Sequence, residues 1–169
     1  MMLALPEPVA AGSMGRMAGS TATRTTDAPL SPCVCNTLRM VTRAVTQVYD
    51  EALRPSGLRV TQFSVLMALR RLGQANLRQL EDALALDQTS LTRGLALLER
   101  DGLIERVPHP DRRVKALRLT ARGDKALEAA RPLWARTQQK VLRELGTTAW
   151  ADAERRLRRL LGIARPLRR

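Results

Sequence analysis

Between His109 and Gly123 the chain reads HPDRRVKALRLTARG: a proline-flanked acid, a pair of arginines, then apolar and basic side chains in alternation. Alternation with a period of two is the mark of a half-buried strand. The preceding LIERV, residues 103–107, is also strand-like, so HPDRR reads as the turn of a β-hairpin. Val114, Ala116 and Leu117 or Leu119 can pack inward, which leaves Arg112 and Arg113 projecting at the tip. A projecting arginine pair suits the narrow, electronegative minor groove of DNA. Asp111 cannot attract DNA by its charge, and its expected role is to orient Arg113 through a charge-assisted hydrogen bond.

What precedes the hairpin gives it a context. In NLRQLEDAL, Asn76 is placed as an N-cap with Gln79 three residues on, a capping box, and Ala75 and Leu80 are spaced as a weak hydrophobic staple. After the break ALD, Asp87 can cap a second short helix, QTSLTRGLALLERDG, which Gly102 ends. Two short helices joined by about three residues form a helix-turn-helix pattern. On a helical wheel Leu91, Leu95 and Leu98 fall inward, whereas Thr89, Ser90, Arg93, Ala96, Leu97 and Arg100 fall outward. The N-terminal half of such a second helix enters the major groove, so Gln88, Thr89, Ser90, Thr92 and Arg93 are the candidate DNA contacts. The competing reading of that face is an ordinary solvated surface. A hairpin directly behind a helix-turn-helix is a wing.

Longer helices flank this unit. Ser31 as N-cap, Pro32 at the first helical position and Val34, Leu38, Val41, Val45, Val48 and Ala52 at three- and four-residue spacing predict an amphipathic helix ended by Pro55, Ser56 and Gly57. TQFSVLMALRRL predicts a second, stopped at Gly73. From Thr120 the chain reads as helix through Arg143, with a kink expected at Pro132, and a last helix runs from about Thr147 to Ala164. The apolar stripes of Val34 to Ala52 and of Trp150 to Ala164 exceed what one winged domain can cover. They call for a partner surface, the alternative being burial within a single chain.

Charge localises the anionic partner. The chain has 29 Lys plus Arg against 16 Asp plus Glu, a formal net charge of +13. The excess sits in two places, +5 over residues 59–123 and +7 over residues 155–169. Most of the cations are arginine, the side chain suited to bidentate contact with phosphate or carboxylate. With four aromatic residues in the whole chain, Tyr49, Phe63, Trp134 and Trp150, the core must be aliphatic. The arginines of ERRLRRLLGIARPLRR read first as the solvated face of a leucine-striped helix, with a nucleic-acid or acidic-surface contact as the alternative.

At this point DRRVKALRLTARG, with its Asp-x-Arg followed by Leu-Thr-x-x-Gly, and LTRGLALLERDGLIER together resemble the MarR family of winged-helix transcription regulators, over about residues 33–165. The resemblance implies a mainly α fold with a small β-hairpin wing: a winged helix-turn-helix domain plus a helical dimerisation domain. It implies a homodimer in which the first helix and the last two intertwine, reading a pseudo-palindromic operator in double-stranded DNA. Carried over by position, the family's wing arginine falls on Arg113, its acid on Asp111, and the helix contacts near Ser90, Thr92 and Arg93. Ala85, where such turns often have Gly, and Gly94 inside the recognition helix depart from the pattern. Family members respond to a small aromatic or anionic effector in the crevice between the two domains, or to cysteine oxidation. Tyr49, Phe63, Met67 and Trp134 are candidate pocket linings, with burial in the core as the bland alternative. Cys33 and Cys35 are expected in the first turn of the first helix, pointing about 200° apart. They are an inert pair, a redox sensor or part of a metal sensor.

The expected organisation is a disordered tail over 1–31, with Met14 or Met17 an alternative start, a first dimerisation helix over 32–57, a winged helix-turn-helix domain over 58–119 and dimerisation helices with a basic tail over 120–169. The expected function is that of a sequence-specific regulator, read as a repressor. The rivals are a sequence-nonspecific architectural protein and a winged-helix protein-interaction module. An enzyme is not expected: the sequence has no phosphate-cradling glycine loop, no nucleophile elbow and no metal-ligand spacing, and no cofactor is implied. Two cysteines, no signal-peptide pattern and no apolar run of membrane-spanning length lead to the expectation of a cytoplasmic protein with no membrane partner.

Overall fold

The computed structural model describes residues 33–108 and 115–166. The expectations for the 1–31 tail, for Ser31 and Pro32, for the hairpin tip with Asp111, Arg112 and Arg113, and for Arg168 and Arg169 lie outside the described residues. Among the described residues the order is α1 (Val34–Leu53), a 3-10 turn (Arg54–Ser56), α2 (Val60–Leu72), β1 (Gln74–Asn76), α3 (Leu77–Leu84), α4 (Gln88–Arg100), β2 (Ile104–Val107), β3 (Ala116–Leu119), α5 (Ala121–Leu145) and α6 (Thr147–Ala164). This is a mainly helical fold with a small antiparallel sheet.

The helix ends follow local chemistry. α1 stops where Pro55 enters the 3-10 turn, and Gly57 at φ +74° reverses the chain with its N–H on the Arg54 carbonyl at 3.0 Å. The first turn of α2 is capped from α1: Asp50 Oδ1 accepts the Val60 N–H at 2.7 Å, and Gln62 Oε1 accepts the Arg59 N–H at 2.9 Å. Asn76 and Gln79 form the expected capping box, Asn76 Oδ1 accepting the Gln79 N–H at 2.9 Å and Gln79 Oε1 the Asn76 N–H at 2.8 Å. Ala75 and Leu80, the expected staple, are both buried. Asp87 caps α4.

One strand escaped the sequence reading. Residues Gln74–Asn76 pair with β3, giving a three-stranded sheet in the order β1-β3-β2, with Ala75 opposite Leu117 and Ile104 opposite Leu119. β3 is therefore the central strand. Three residues carry too little pattern to announce a strand, and QAN is extended because β3 offers it a ladder. Central placement also explains why Ala116 and Leu117, neighbours on opposite faces, are both buried while Leu119 is half-buried.

The core is leucine. Leu53, Leu66, Leu69, Leu80, Leu91, Leu98 and Leu127 are fully enclosed, and α2, α3, α4 and the sheet share one cluster with Leu53 of α1 and with Leu127 and Ala130 of α5. α5 runs as one 25-residue helix through Pro132, whose ring leaves the Glu128 carbonyl without a helical donor. The proline interrupts one hydrogen bond and does not divide the helix.

The Leu-Thr-x-x-Gly motif joins hairpin to helix. Thr120 N–H donates to the Leu103 carbonyl at 3.1 Å, its hydroxyl donates to the Gly102 carbonyl at 2.7 Å, and the same Oγ1 accepts the Gly123 N–H at 3.0 Å as the cap of α5. Gly123 then lies against the Leu103 backbone so closely that a Cβ there would fall 1.9 Å from the Leu103 carbonyl oxygen. Gly123→Ala is expected to cost about 3 kcal/mol of folding stability, the upper end of overpacking effects, because the atom that must yield is backbone. The denaturant midpoint should fall with an unchanged slope; an unchanged midpoint would exclude the close approach.

Ala85 ends α3 in the left-handed region at φ +54°, the one non-glycine with positive φ among the described residues. Ala85→Gly is expected to gain about 0.5–1 kcal/mol, the left-handed penalty of alanine less the extra chain entropy of glycine. The same denaturation experiment reads it as a raised midpoint, and no rise would mean that the turn carries no strain.

Candidate nucleic-acid interface

α3, the turn at Ala85 and α4 present one side of a helix-turn-helix, with the β2–β3 hairpin beside it. The wheel is realised in α4: Leu91, Leu95 and Leu98 are buried, while Thr89, Ser90, Arg93, Ala96, Leu97 and Arg100 are exposed. Gln88 and Thr92 are exposed too, so the five candidate contacts of α4 share an open surface. Arg93 forms no ion pair among the described residues and its guanidinium is available to an outside acceptor. A Cβ at Gly94 would meet nothing within 4 Å, so this glycine is not required by packing.

Ser90 differs from its neighbours. Asp87 Oδ1 accepts its N–H at 2.9 Å and Asp87 Oδ2 accepts its hydroxyl at 2.7 Å. These bonds, the backbone one foremost, hold the Asp87 carboxyl below its ordinary range. The Ser90 proton is thus already committed to the cap, and the hydroxyl can only accept. It cannot donate to a phosphate without opening that bond, which leaves Thr89, Thr92, Gln88 and Arg93 as the freer donors.

Charges that sequence reading passed over brace the hairpin. Glu99, in the last turn of α4, takes a two-pronged contact from Arg106 on β2, Nε to Oε1 at 2.6 Å and a terminal nitrogen to Oε2 at 3.0 Å. Across the hairpin Arg118 Nε meets Glu105 Oε1 at 2.7 Å, as the register that sets Glu105 opposite Arg118 requires. The second pair was legible once the register was known. The first needed the α4-to-β2 geometry, which no spacing rule provides.

Of the four side chains proposed for an effector pocket, three come together. Phe63 of α2 stacks on Trp134 of α5 with ring centroids 5.8 Å apart and planes 24° from parallel. With Met67 they line an open cleft of about 640 Å³, bordered by Arg70, Arg71 and Arg131. Arg70 and Arg131 both contact Glu128, whereas Arg71 has no ion pair among the described residues. Tyr49 does not line this cleft: it is buried, and its hydroxyl donates to Gln138 Oε1 on α5.

Cys33 and Cys35 are exposed, but Cys33 precedes the first helical residue, Val34. The expected 200° divergence presupposed both within the helix and does not apply to this pair. Among the described residues no group of three or more His, Cys, Asp or Glu could hold a metal ion. Arg165, past the end of α6, donates to the Asp82 carbonyl of α3 at 2.6 Å, whereas along α6 Arg155 and Arg156 pair with Asp152 at 2.9 and 2.8 Å and Arg158 with Glu154. That is the pattern of a solvated helix face, and exposed pairs of this kind contribute little stability. No helix among the described residues is long and apolar enough to cross a membrane.

Comparison with known proteins places this geometry. The family model described as the MarR family matches residues 58–115, the span from α2 to the start of β3. An uncharacterised HTH-type transcriptional regulator of Bacillus subtilis, YwoH, is 31% identical over 86 residues, covering 51% of this chain and 63% of its own, a little under two thirds of that relative. Among solved structures, the transcriptional regulator MosR of M. tuberculosis in complex with DNA is 37% identical, with a TM-score of 0.74, covering 81% of this chain and 99% of that one. A cysteine-to-serine mutant of MarR from E. coli, complexed with operator DNA, is 28% identical with a TM-score of 0.68, covering 75% and 92%.

Proposed function

Because the chain belongs to the MarR family of transcriptional regulators, we propose that it acts as a homodimeric, sequence-specific DNA-binding repressor. The observation that carries this reading is the exposed, polar N-terminal half of α4, standing on a leucine base beside a hairpin whose connection contains Arg112 and Arg113. Gln88, Thr89, Thr92 and Arg93 are the base- and phosphate-reading side chains, Ser90 an acceptor only, and Arg113, oriented by Asp111, the minor-groove contact. MosR and MarR, both solved on DNA, are the similar proteins that favour a double-stranded DNA partner.

Dimerisation is supported by what α1 and α6 leave uncovered. Along α1, Val34, Met40, Val41, Val45 and Val48 are all exposed, Met40 at 61% and Val41 at 54%; on α6, Leu157, Leu161 and Ile163 are exposed. Exposed apolar side chains in this number on two helices point to an interface. In this reading residues 32–57 and 120–169 form the dimerisation part, 58–119 the DNA-binding part, and the protein works in the cytoplasm. The effector is a small aromatic or anionic molecule in the Phe63–Trp134 cleft, where Arg71, without an ion pair among the described residues, supplies a cation. Oxidation at the exposed Cys33 and Cys35 is the second input the same reading allows.

Two measurements test it. The solution mass should be twice the 18.8 kDa of the chain, and Val41→Asp should give monomers; a monomeric wild type would overturn the dimer. In a salt titration against a target duplex and a scrambled one, the target should be preferred by about a thousandfold. Arg113→Ala should weaken target binding by about 1–3 kcal/mol. Equal affinity of the wild type for both duplexes would favour the nonspecific architectural reading, and Thr89, Arg93 and Arg113 changes without effect on DNA would favour a protein-interaction module.

A further inference from the structure

The hairpin meets the recognition helix at two places of different character. At the near end the backbone fixes it: the Leu103 N–H donates to the Leu98 carbonyl at 2.9 Å and the Gly102 N–H to the Glu99 carbonyl at 3.0 Å, so β2 must leave α4 in a set direction. Further out packing is incomplete. Between Thr92, Leu95 and Ala96 of α4 and Leu117 of β3 lies a recess of about 230 Å³, which apolar contact alone leaves slack. Glu99 and Arg106, joined by their fork, line this recess together with Lys115, the residue before β3. Arg106 on β2 is therefore paired with a carboxylate of α4, and Lys115, ahead of β3, lies close enough to act on the same group through its charge. The Glu99 side chain is 24% exposed, so its pairing is less screened than that of the surface ion pairs on α6. The hydrogen bond from Arg106 draws the Glu99 carboxyl below its ordinary range, as expected of a carboxylate ionised throughout the neutral range.

We infer that Glu99 is a positioning and specificity-determining residue: it sets the hairpin against the recognition helix and holds the Arg106 guanidinium away from the phosphate backbone. The inference rests on the DNA-binding reading above and adds a division of labour to it. Specific binding needs helix and hairpin to fit two grooves at once, so it depends on their relative placement. Nonspecific binding needs only cations near phosphates. Pairing Arg106 with Glu99 serves the first and suppresses the second.

The test uses the full chain, the best site that wild-type protein recovers from a randomised duplex pool, and a scrambled duplex of equal length. Glu99→Gln keeps the volume of the side chain and removes its charge. It should weaken binding to the selected site about tenfold, while binding to the scrambled duplex stays level or strengthens, with a salt slope steeper by about one because one more cation reaches phosphate. Arg106→Gln should lose discrimination without strengthening scrambled binding. The exchanged pair, Glu99→Arg with Arg106→Glu, should recover most of the discrimination. A purely structural role predicts a lowered midpoint with both affinities falling in parallel, and that result, or an unchanged ratio in Glu99→Gln, overturns the inference. If Glu99→Gln does not fold, Arg106→Gln and the exchanged pair decide it by the same ratio. A wild type that binds both duplexes equally removes the specific-regulator reading and this inference with it; a wild-type preference that Glu99→Gln leaves intact removes this inference alone.

Discussion

The closeness of Gly123 to the Leu103 carbonyl is the constraint on which the arrangement turns. Leu103 follows α4, Thr120 follows β3, and Gly123 lies in the first turn of the long helix α5. Where the Thr120 N–H and hydroxyl reach the Leu103 and Gly102 carbonyls, three elements that do different work are drawn to a single point. The missing side chain lets the first turn of α5 lie directly on the strand-entry backbone. Any larger residue would push α5 outward, taking with it Leu127 and Ala130, which complete the core beneath α2. The five-residue motif Leu-Thr-x-x-Gly thus bears on how the leucine core closes.

Closure has a consequence for how the molecule transmits movement. The winged part and the long helices are not separate cores joined by linkers, since Leu53 of α1 and Leu127 of α5 are packed into the cluster that supports α4. Asp50 of α1 caps α2 directly. A shift in α1 or α5 therefore changes the seating of α2 and α3 without passing through a flexible hinge, because close-packed interiors transmit displacement. The Phe63–Trp134 cleft opens between α2 and α5, where such a shift would arise.

Much of this was legible before any coordinates, for local reasons. The Asn76–Gln79 box, the Asp87 cap, the glycine stops and the three inward leucines of α4 each depend on residues within one turn of each other, and a short-range rule finds them. The Leu-Thr-x-x-Gly motif was visible as a pattern, though its function as a joint between Leu103 and α5 was not. β1 stayed hidden because its strand character comes from β3, forty residues away. Tyr49 was grouped with Phe63 and Trp134 as one of few aromatics, yet it lies one helix away, hydrogen-bonded to Gln138. Composition picks out aromatic residues but does not say which of them meet.

The net charge of +13 is a poor guide to where DNA would be read, and the reason is visible residue by residue. On α6 Arg155 and Arg156 pair with Asp152 and Arg158 with Glu154, and at the surface Arg70 and Arg131 converge on Glu128. Around the recognition helix Arg106 and Arg118 are matched by Glu99 and Glu105, whereas Arg93 is left unpaired among the described residues. An unpaired guanidinium on the exposed side of α4 has no internal carboxylate to leave before it meets an outside acceptor. A paired one must first give up its carboxylate. Glu99 and Glu105 therefore lower the general attraction for an anionic partner at Arg106 and Arg118 and leave it undiminished at Arg93, so net charge alone does not say where such a partner would be met.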